Sequence, residues 1–136
     1  MEKYIHKVHY YETDKMGITH HSNYIRWMEE ARVDYLEKIG WGYDKLEELG
    51  IGSPVIGIKC EYKNSTKFND KIEIEVKIKE YKGVRMTISY EMKNKETEQT
   101  VLIGESKHCF INQDGKPIIL KKQCPEFDKV FNELCK

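Results

Sequence analysis

The chain has 136 residues, enough for one domain with its own core and too few for two ordinary ones, so a single domain over residues 1–136 is expected. Charged residues make up 34% of it, but 23 Lys and Arg balance 23 Asp and Glu, so no basic excess points to nucleic acid. No apolar run approaches the roughly 20 residues that cross a bilayer, and Met1–His6 lacks the apolar stretch of a secretory signal, so the expectation is a cytoplasmic protein with no integral membrane segment.

A short strand is expected from Tyr4 to Tyr10, followed by a polar segment from Tyr11 to Ser22. A helix comes next. Tyr24, Trp27, Met28, Ala31, Tyr35 and Ile39 recur at helical spacing, and Ile25, Val33 and Leu36 widen the apolar arc. Ser22 or Asn23 suits its N-cap, and Gly40 suits the left-handed residue past its end. Arg26 with Glu30 and Asp34 with Lys38 are spaced as i,i+4 pairs. A short helical turn is expected from Asp44 to Leu49.

The period then changes to two. Ile56, Ile58, Cys60 and Tyr62 alternate with polar residues or glycine, as do Ile72, Ile74, Val76 and Ile78, then Met86, Ile88, Tyr90 and Met92. A last strand is expected from about Thr100 to Ile111, and a terminal helix from Pro125 to Cys135. One long apolar helix with an antiparallel sheet is an α+β plan. The four cysteines include no C-x-x-C pair and read as idle thiols.

Titratable groups crowd between the first strand and the helix. Asp14 lies just ahead of a helix N-terminus, where unpaired N–H groups favour negative charge and can polarise a carbonyl oxygen. Gly17 permits a sharp turn and a close approach to a ligand. The same residues also suit a plain loop, with Asp14 closing an Asx-turn and His20 and His21 in solvent.

Tyr10, Asp14, Gly17, His21 and Tyr24 form the pattern Tyr-x-x-x-Asp-x-x-Gly-x-x-x-His-x-x-Tyr, with Glu29, Ala31 and Arg32 following in the helix. This pattern resembles the 4-hydroxybenzoyl-CoA thioesterase family, and within it the branch of small bacterial acyl-CoA thioesterases. The match is specific over Tyr10 to Arg32, and element order extends it over most of the chain. The resemblance implies the hotdog fold, a curved antiparallel five-stranded sheet wrapped around a long central helix. It also implies Asp14 as the catalytic carboxylate, with His21 and Tyr10 at active-site positions. Glu12 stands where relatives often carry an aspartate, and His20 where they carry an aromatic residue, which leaves the acyl preference open.

The expected reaction is hydrolysis of an acyl-CoA or acyl carrier protein thioester to free acid and thiol. A thioester has a good leaving group, so a carboxylate and an oxyanion site suffice without metal or cofactor. Asp14 attacks the carbonyl or activates water, and N–H groups near His21 hold the oxygen. Tyr10 positions Asp14 or water, while Gly17, Asn23 and Tyr24 are expected to contact substrate. Two alternatives keep the scaffold: a module that binds acyl-CoA without turnover, and a hydroxyacyl-thioester dehydratase.

A metal site built from His6, His9, His20 and His21 lacks the H-E-x-x-H pattern. Gly104-Glu105-Ser106-Lys107-His108 fails the G-x-S-x-G elbow at its last glycine, and no phosphate-binding glycine motif is present. The wide apolar arc of the helix exceeds what one small sheet covers, so a homodimer or homotetramer with shared active sites is expected.

Overall fold

The computed structural model describes residues 2–135. Strand β1 (Tyr4–Lys7) leads through a single 3-10 turn (Tyr10–Glu12) and a polar loop to α1 (Ser22–Lys38). After α2 (Tyr43–Glu48) come β2 (Val55–Tyr62), β3 (Lys71–Tyr81), β4 (Arg85–Asn94) and β5 (Thr100–Cys109), and then α3 (Leu120–Gln123) and α4 (Pro125–Leu134). The strands form one antiparallel sheet in the order β1-β3-β4-β5-β2. Tight turns join β3 to β4 and β4 to β5, closed by Lys82 N–H to Arg85 O and Asn94 N–H to Gln99 O, both 2.9 Å. Such links suit antiparallel neighbours. The link from β2 to β3, residues 63–70, is longer than a hairpin turn, and β2 lies at the opposite side of the sheet, beside β5.

The chain divides into two compact units. One holds the residues up to Tyr35 with Cys60–Val76 and Tyr90–Gly104. Its core includes Trp27, Met28 and Ala31 from α1 and Ile72, Ile74, Met92 and Leu102 from the sheet, all at most 2% exposed. The other holds Leu36–Lys59, Lys77–Ser89 and the residues from Glu105 onward. There Trp41 stacks on Phe127 with ring centroids 4.5 Å apart, and Phe127 meets Phe131 at 4.1 Å. The apolar spacing of α4 therefore serves a local aromatic core.

The end of α1 follows its sequence. Gly40 has φ +85°, its N–H donates to Glu37 O (3.0 Å), and Trp41 N–H donates to Leu36 O (2.8 Å), the paired bonds that satisfy the last carbonyls of a helix. The start differs from expectation. Ser22 is already helical, and its N–H donates to the ring Nδ1 of His20 at 3.2 Å, while the Asn23 side chain turns back to Glu12. Arg26 reaches Ser22 and Asn23 at 3.3 and 3.2 Å, and Glu30 takes Tyr4 and His6 from β1, so both members of the expected Arg26–Glu30 pair are engaged elsewhere.

The expected surplus of apolar surface on α1 is also corrected. Tyr24, Trp27, Met28, Ala31, Tyr35 and Leu36 are buried within this chain, and Ile25 alone of the helix is a largely exposed apolar residue. The uncovered apolar surface lies on β2 instead, where Val55, Ile56, Ile58 and Tyr62 are 41–50% exposed. An edge strand has a neighbour on one side only, which leaves such side chains in water.

Candidate active site

Residues 10–24 build the site, and they lie within one compact unit. Thr13 and Thr19 pair as an antiparallel bridge, and Asp14 N–H donates to Ile18 O at 2.9 Å, so the segment is a small hairpin with Asp14 to Ile18 at its tip. Gly17 makes that tip possible. Its φ is +81°, its N–H donates to Asp14 O at 3.0 Å, and a Cβ there would meet nothing within 4 Å. Within this chain the glycine answers to backbone conformation, since the space beside it is open.

Asp14 is exposed, and its Oδ1 accepts the Met16 N–H at 2.8 Å. This is the Asx-turn that a plain loop would have. It also fixes the carboxylate in direction, leaving Oδ2 with no partner among the described residues. On the returning arm, His21 is exposed and lies edge-on to Tyr62 (6.3 Å between centroids) and against His20 (4.4 Å). A cleft of about 240 Å³ opens there, lined by His21, Ile18, Thr19, Tyr24, Tyr62 and Ser65 among others. Tyr24 is buried and its hydroxyl stands 3.1 Å from Thr66 Oγ1, so it forms the wall of that cleft.

Two expected site residues lie elsewhere. Tyr10 is 75% exposed and packs edge-on against Phe68, and among the described residues no hydrogen bond joins its hydroxyl to Asp14. Asn23 is buried, and its Nδ2 donates to Glu12 O at 2.9 Å, so its amide braces the loop from inside.

Glu12 is the group that sequence reasoning passed over. It is 5% exposed. Its Oε1 accepts the His9 N–H and the His6 Nε2–H, each at 2.8 Å, and its Oε2 accepts the Trp27 indole N–H at 2.6 Å. Burial pushes its pKa up, but the three donors outweigh burial and hold the carboxyl below its ordinary value. His6 Nδ1 faces Glu30 Oε2 at 3.3 Å, so the ring stands between two carboxylates. Burial, and then the charge of Glu30 beside it, push Tyr4 up to about 12, leaving its hydroxyl a neutral donor to Glu30.

His6, His9 and Glu12 place ligand atoms within 4.8 Å of one another, a different set from the four histidines weighed and set aside on the sequence. Both oxygens of Glu12 already serve three donors, which favours a hydrogen-bonded brace over a cation site. Ser106 and His108, which fail the elbow pattern in the sequence, do pair in the structure. Ser106 Oγ lies 2.7 Å from His108 Nε2, and His108 Nδ1 donates to Ser53 O at 3.1 Å. A carbonyl only accepts, so Nδ1 carries a proton in this contact. With Ser106 at 2% and His108 at 0% exposure, the pair lies beyond reach of substrate.

The family profile described as the thioesterase-like superfamily matches residues 8–134. The chain belongs to that superfamily. A putative esterase of Aquifex aeolicus is 33% identical over 90% of this chain and 94% of its own length. A putative acyl-CoA thioesterase of Bacillus subtilis, YneP, is 30% identical over 93% and 92%. Among solved structures, DHNA-CoA thioesterase from Staphylococcus aureus superposes with a TM-score of 0.92 at 32% identity, covering 97% of this chain and 89% of that one. The α+β hotdog fold expected for this thioesterase-like chain is the fold it has.

Proposed function

We propose that this protein hydrolyses acyl-CoA thioesters to free acid and thiol. Membership of the thioesterase-like superfamily supports the reaction class, as do relatives named acyl-CoA thioesterase and DHNA-CoA thioesterase. The observation that carries the reading to particular residues is an exposed, directionally fixed carboxylate, Asp14, on one arm of a hairpin whose other arm leads to His21 and an open cleft. One profile over residues 8–134 supports reading residues 1–136 as a single thioesterase domain.

In the proposed reaction the thioester carbonyl sits between Asp14 and the start of α1. The carboxylate either takes a proton from the water that attacks the carbonyl carbon, or attacks that carbon itself to form an acyl anhydride that water then hydrolyses; on either route the carbon–sulfur bond breaks, its electron pair leaves on sulfur, and the thiolate takes up a proton. The backbone N–H of His21 stabilises the oxygen as it gains charge, while the N–H groups of His20, Ser22, Asn23 and Tyr24 donate inside the chain. His21 orients the thioester or assists the departing thiolate. Tyr24 borders the cleft beside His21 and Gly17 a second hollow with Ile18, Ser65 and Thr66, and both residues are taken to contact substrate.

The protein is proposed to work as a homodimer, or a tetramer of paired dimers. Tyr10, Tyr11, Met16 and Phe68 are 49–81% exposed around Asp14, and β2 carries its own uncovered apolar side chains. A second copy seated there covers this surface and completes the acyl site, with Tyr10 then serving the neighbouring chemistry.

Thiol release from a panel of aliphatic and aromatic acyl-CoAs, and from acyl carrier protein thioesters, tests the reading. Turnover of at least one CoA thioester is expected. A panel bound without thiol release supports a binding module, and dehydration of hydroxyacyl thioesters supports a dehydratase.

A further inference from the structure

Five hydrogen bonds converge on one residue two positions from Asp14. The Glu12 carboxylate takes His6 from β1, the His9 N–H and the Trp27 indole of α1, while its carbonyl takes the His20 N–H at 2.8 Å and the Asn23 amide at 2.9 Å. Of the first three, His6 ties the outgoing arm of the hairpin to β1, the His9 N–H closes the turn on that arm, and Trp27 ties it to the buried side of α1. The other two tie His20 of the returning arm and Asn23 of the first turn of α1, with His21 between them, to the arm that leads to Asp14. A loop is otherwise the most mobile kind of segment, and a displacement of about 1 Å in a reacting group can cost on the order of 10²-fold in rate.

We infer that Glu12 is a positioning residue: it clamps both arms of the hairpin and so fixes Asp14 relative to a substrate held beside His21. The inference rests on the proposed role of Asp14. Glu12 itself touches no substrate, because its carboxylate is enclosed and fully engaged. The hydroxyl of Tyr4 and the carboxylate of Glu30 extend the clamp through His6, giving β1 a part in aligning the loop. Replacement by glutamine keeps the volume but turns one acceptor into a donor, which then faces the N–H of Trp27 or of His6.

A double-mutant cycle separates positioning from plain stability. Glu12→Gln, Asp14→Asn and the double variant are compared for kcat and KM on the best acyl-CoA of the panel, each well below its own Tm. Glu12→Gln is expected to lower kcat about tenfold and to move KM less than about twofold. In the Asp14→Asn background it is expected to cost nothing further, since there is no working carboxylate left to misplace.

Trp27→Phe, which removes the donor to Oε2 together with some volume from a fully buried site against His6 and Tyr24, serves if the glutamine variant folds poorly. A smaller kcat loss that vanishes in the same background is expected. An unchanged kcat in Glu12→Gln, or losses that multiply in the double variant, overturns the positioning role and leaves the Asp14 reading standing. Wild-type turnover in Asp14→Asn alone overturns that reading, and the inference with it.

Discussion

Asp14 and Glu12 are both carboxylates in one turn of chain, and their surroundings separate their roles. Asp14 is open to solvent with one oxygen held by the Met16 N–H, whereas Glu12 is enclosed and accepts three donors. Asp14→Asn is nearly isosteric in an exposed loop, so the variant is expected to fold while losing roughly 10²-fold or more in turnover. His21→Ala is expected to lose less, and an equal or greater loss in kcat/KM reverses the ranking of the two. The depressed pKa of Glu12 makes a separate prediction about stability. A carboxyl whose pKa is lower folded than unfolded adds stability above its unfolded value, about 4.3, and the contribution fades as pH falls from there through the folded value. Acid melting curves should therefore fall more gently for Glu12→Gln than for the wild type, by up to about 1.4 kcal/mol per pH unit for the one proton concerned. Parallel curves would show that Glu12 takes up no extra proton on unfolding.

Among the elements, periodicity marks α1, β3, β4 and β5 because each has a buried face long enough to repeat, and it marks β2 through the same alternation although this chain leaves that strand's apolar side chains exposed or half-buried. It was silent where the face is short or polar. In β1 the residue turned inward is His6 and the one left 45% exposed is Ile5, an inversion of the hydropathy pattern that follows from the partners His6 finds in Glu12, Glu30 and Trp27. The inner position of Glu12 was equally hidden, since a glutamate among polar neighbours reads as a loop residue until Trp27 is brought across from α1. The catalytic candidates were legible through their spacing, which local hairpin geometry preserves, whereas the exposed Tyr10 shows that a shared spacing does not ensure contact within one chain. The helix end offers a direct check on local rules. A Cβ at Gly40 meets nothing within 4 Å, so Gly40→Ala bears only the cost of the left-handed backbone, about 1–2 kcal/mol, measurable by urea unfolding. A neutral substitution would mean that the turn relaxes without it.

The whole molecule raises the questions of assembly and of what the reaction requires. The apolar surface that a second copy would cover lies on β2 and the rim of the Asp14 loop, whereas this chain buries most of the apolar face of α1 itself. Ile58→Lys on β2 is therefore expected to weaken self-association without unfolding the chain, with activity falling as light scattering reports smaller particles. A fully active monomer would remove the shared-site proposal. Dialysis against EDTA is expected to leave thioester hydrolysis unchanged, and recovery of a lost activity by a divalent ion would assign His6, His9 and Glu12 a metal instead of a brace. The role of Asp14 is decided by kcat/KM for thiol release by wild type and Asp14→Asn on the same acyl-CoA, with matching circular dichroism for the two proteins. A fall of roughly 10²-fold or more is expected, and equal values in two folded proteins would remove Asp14 from the reaction.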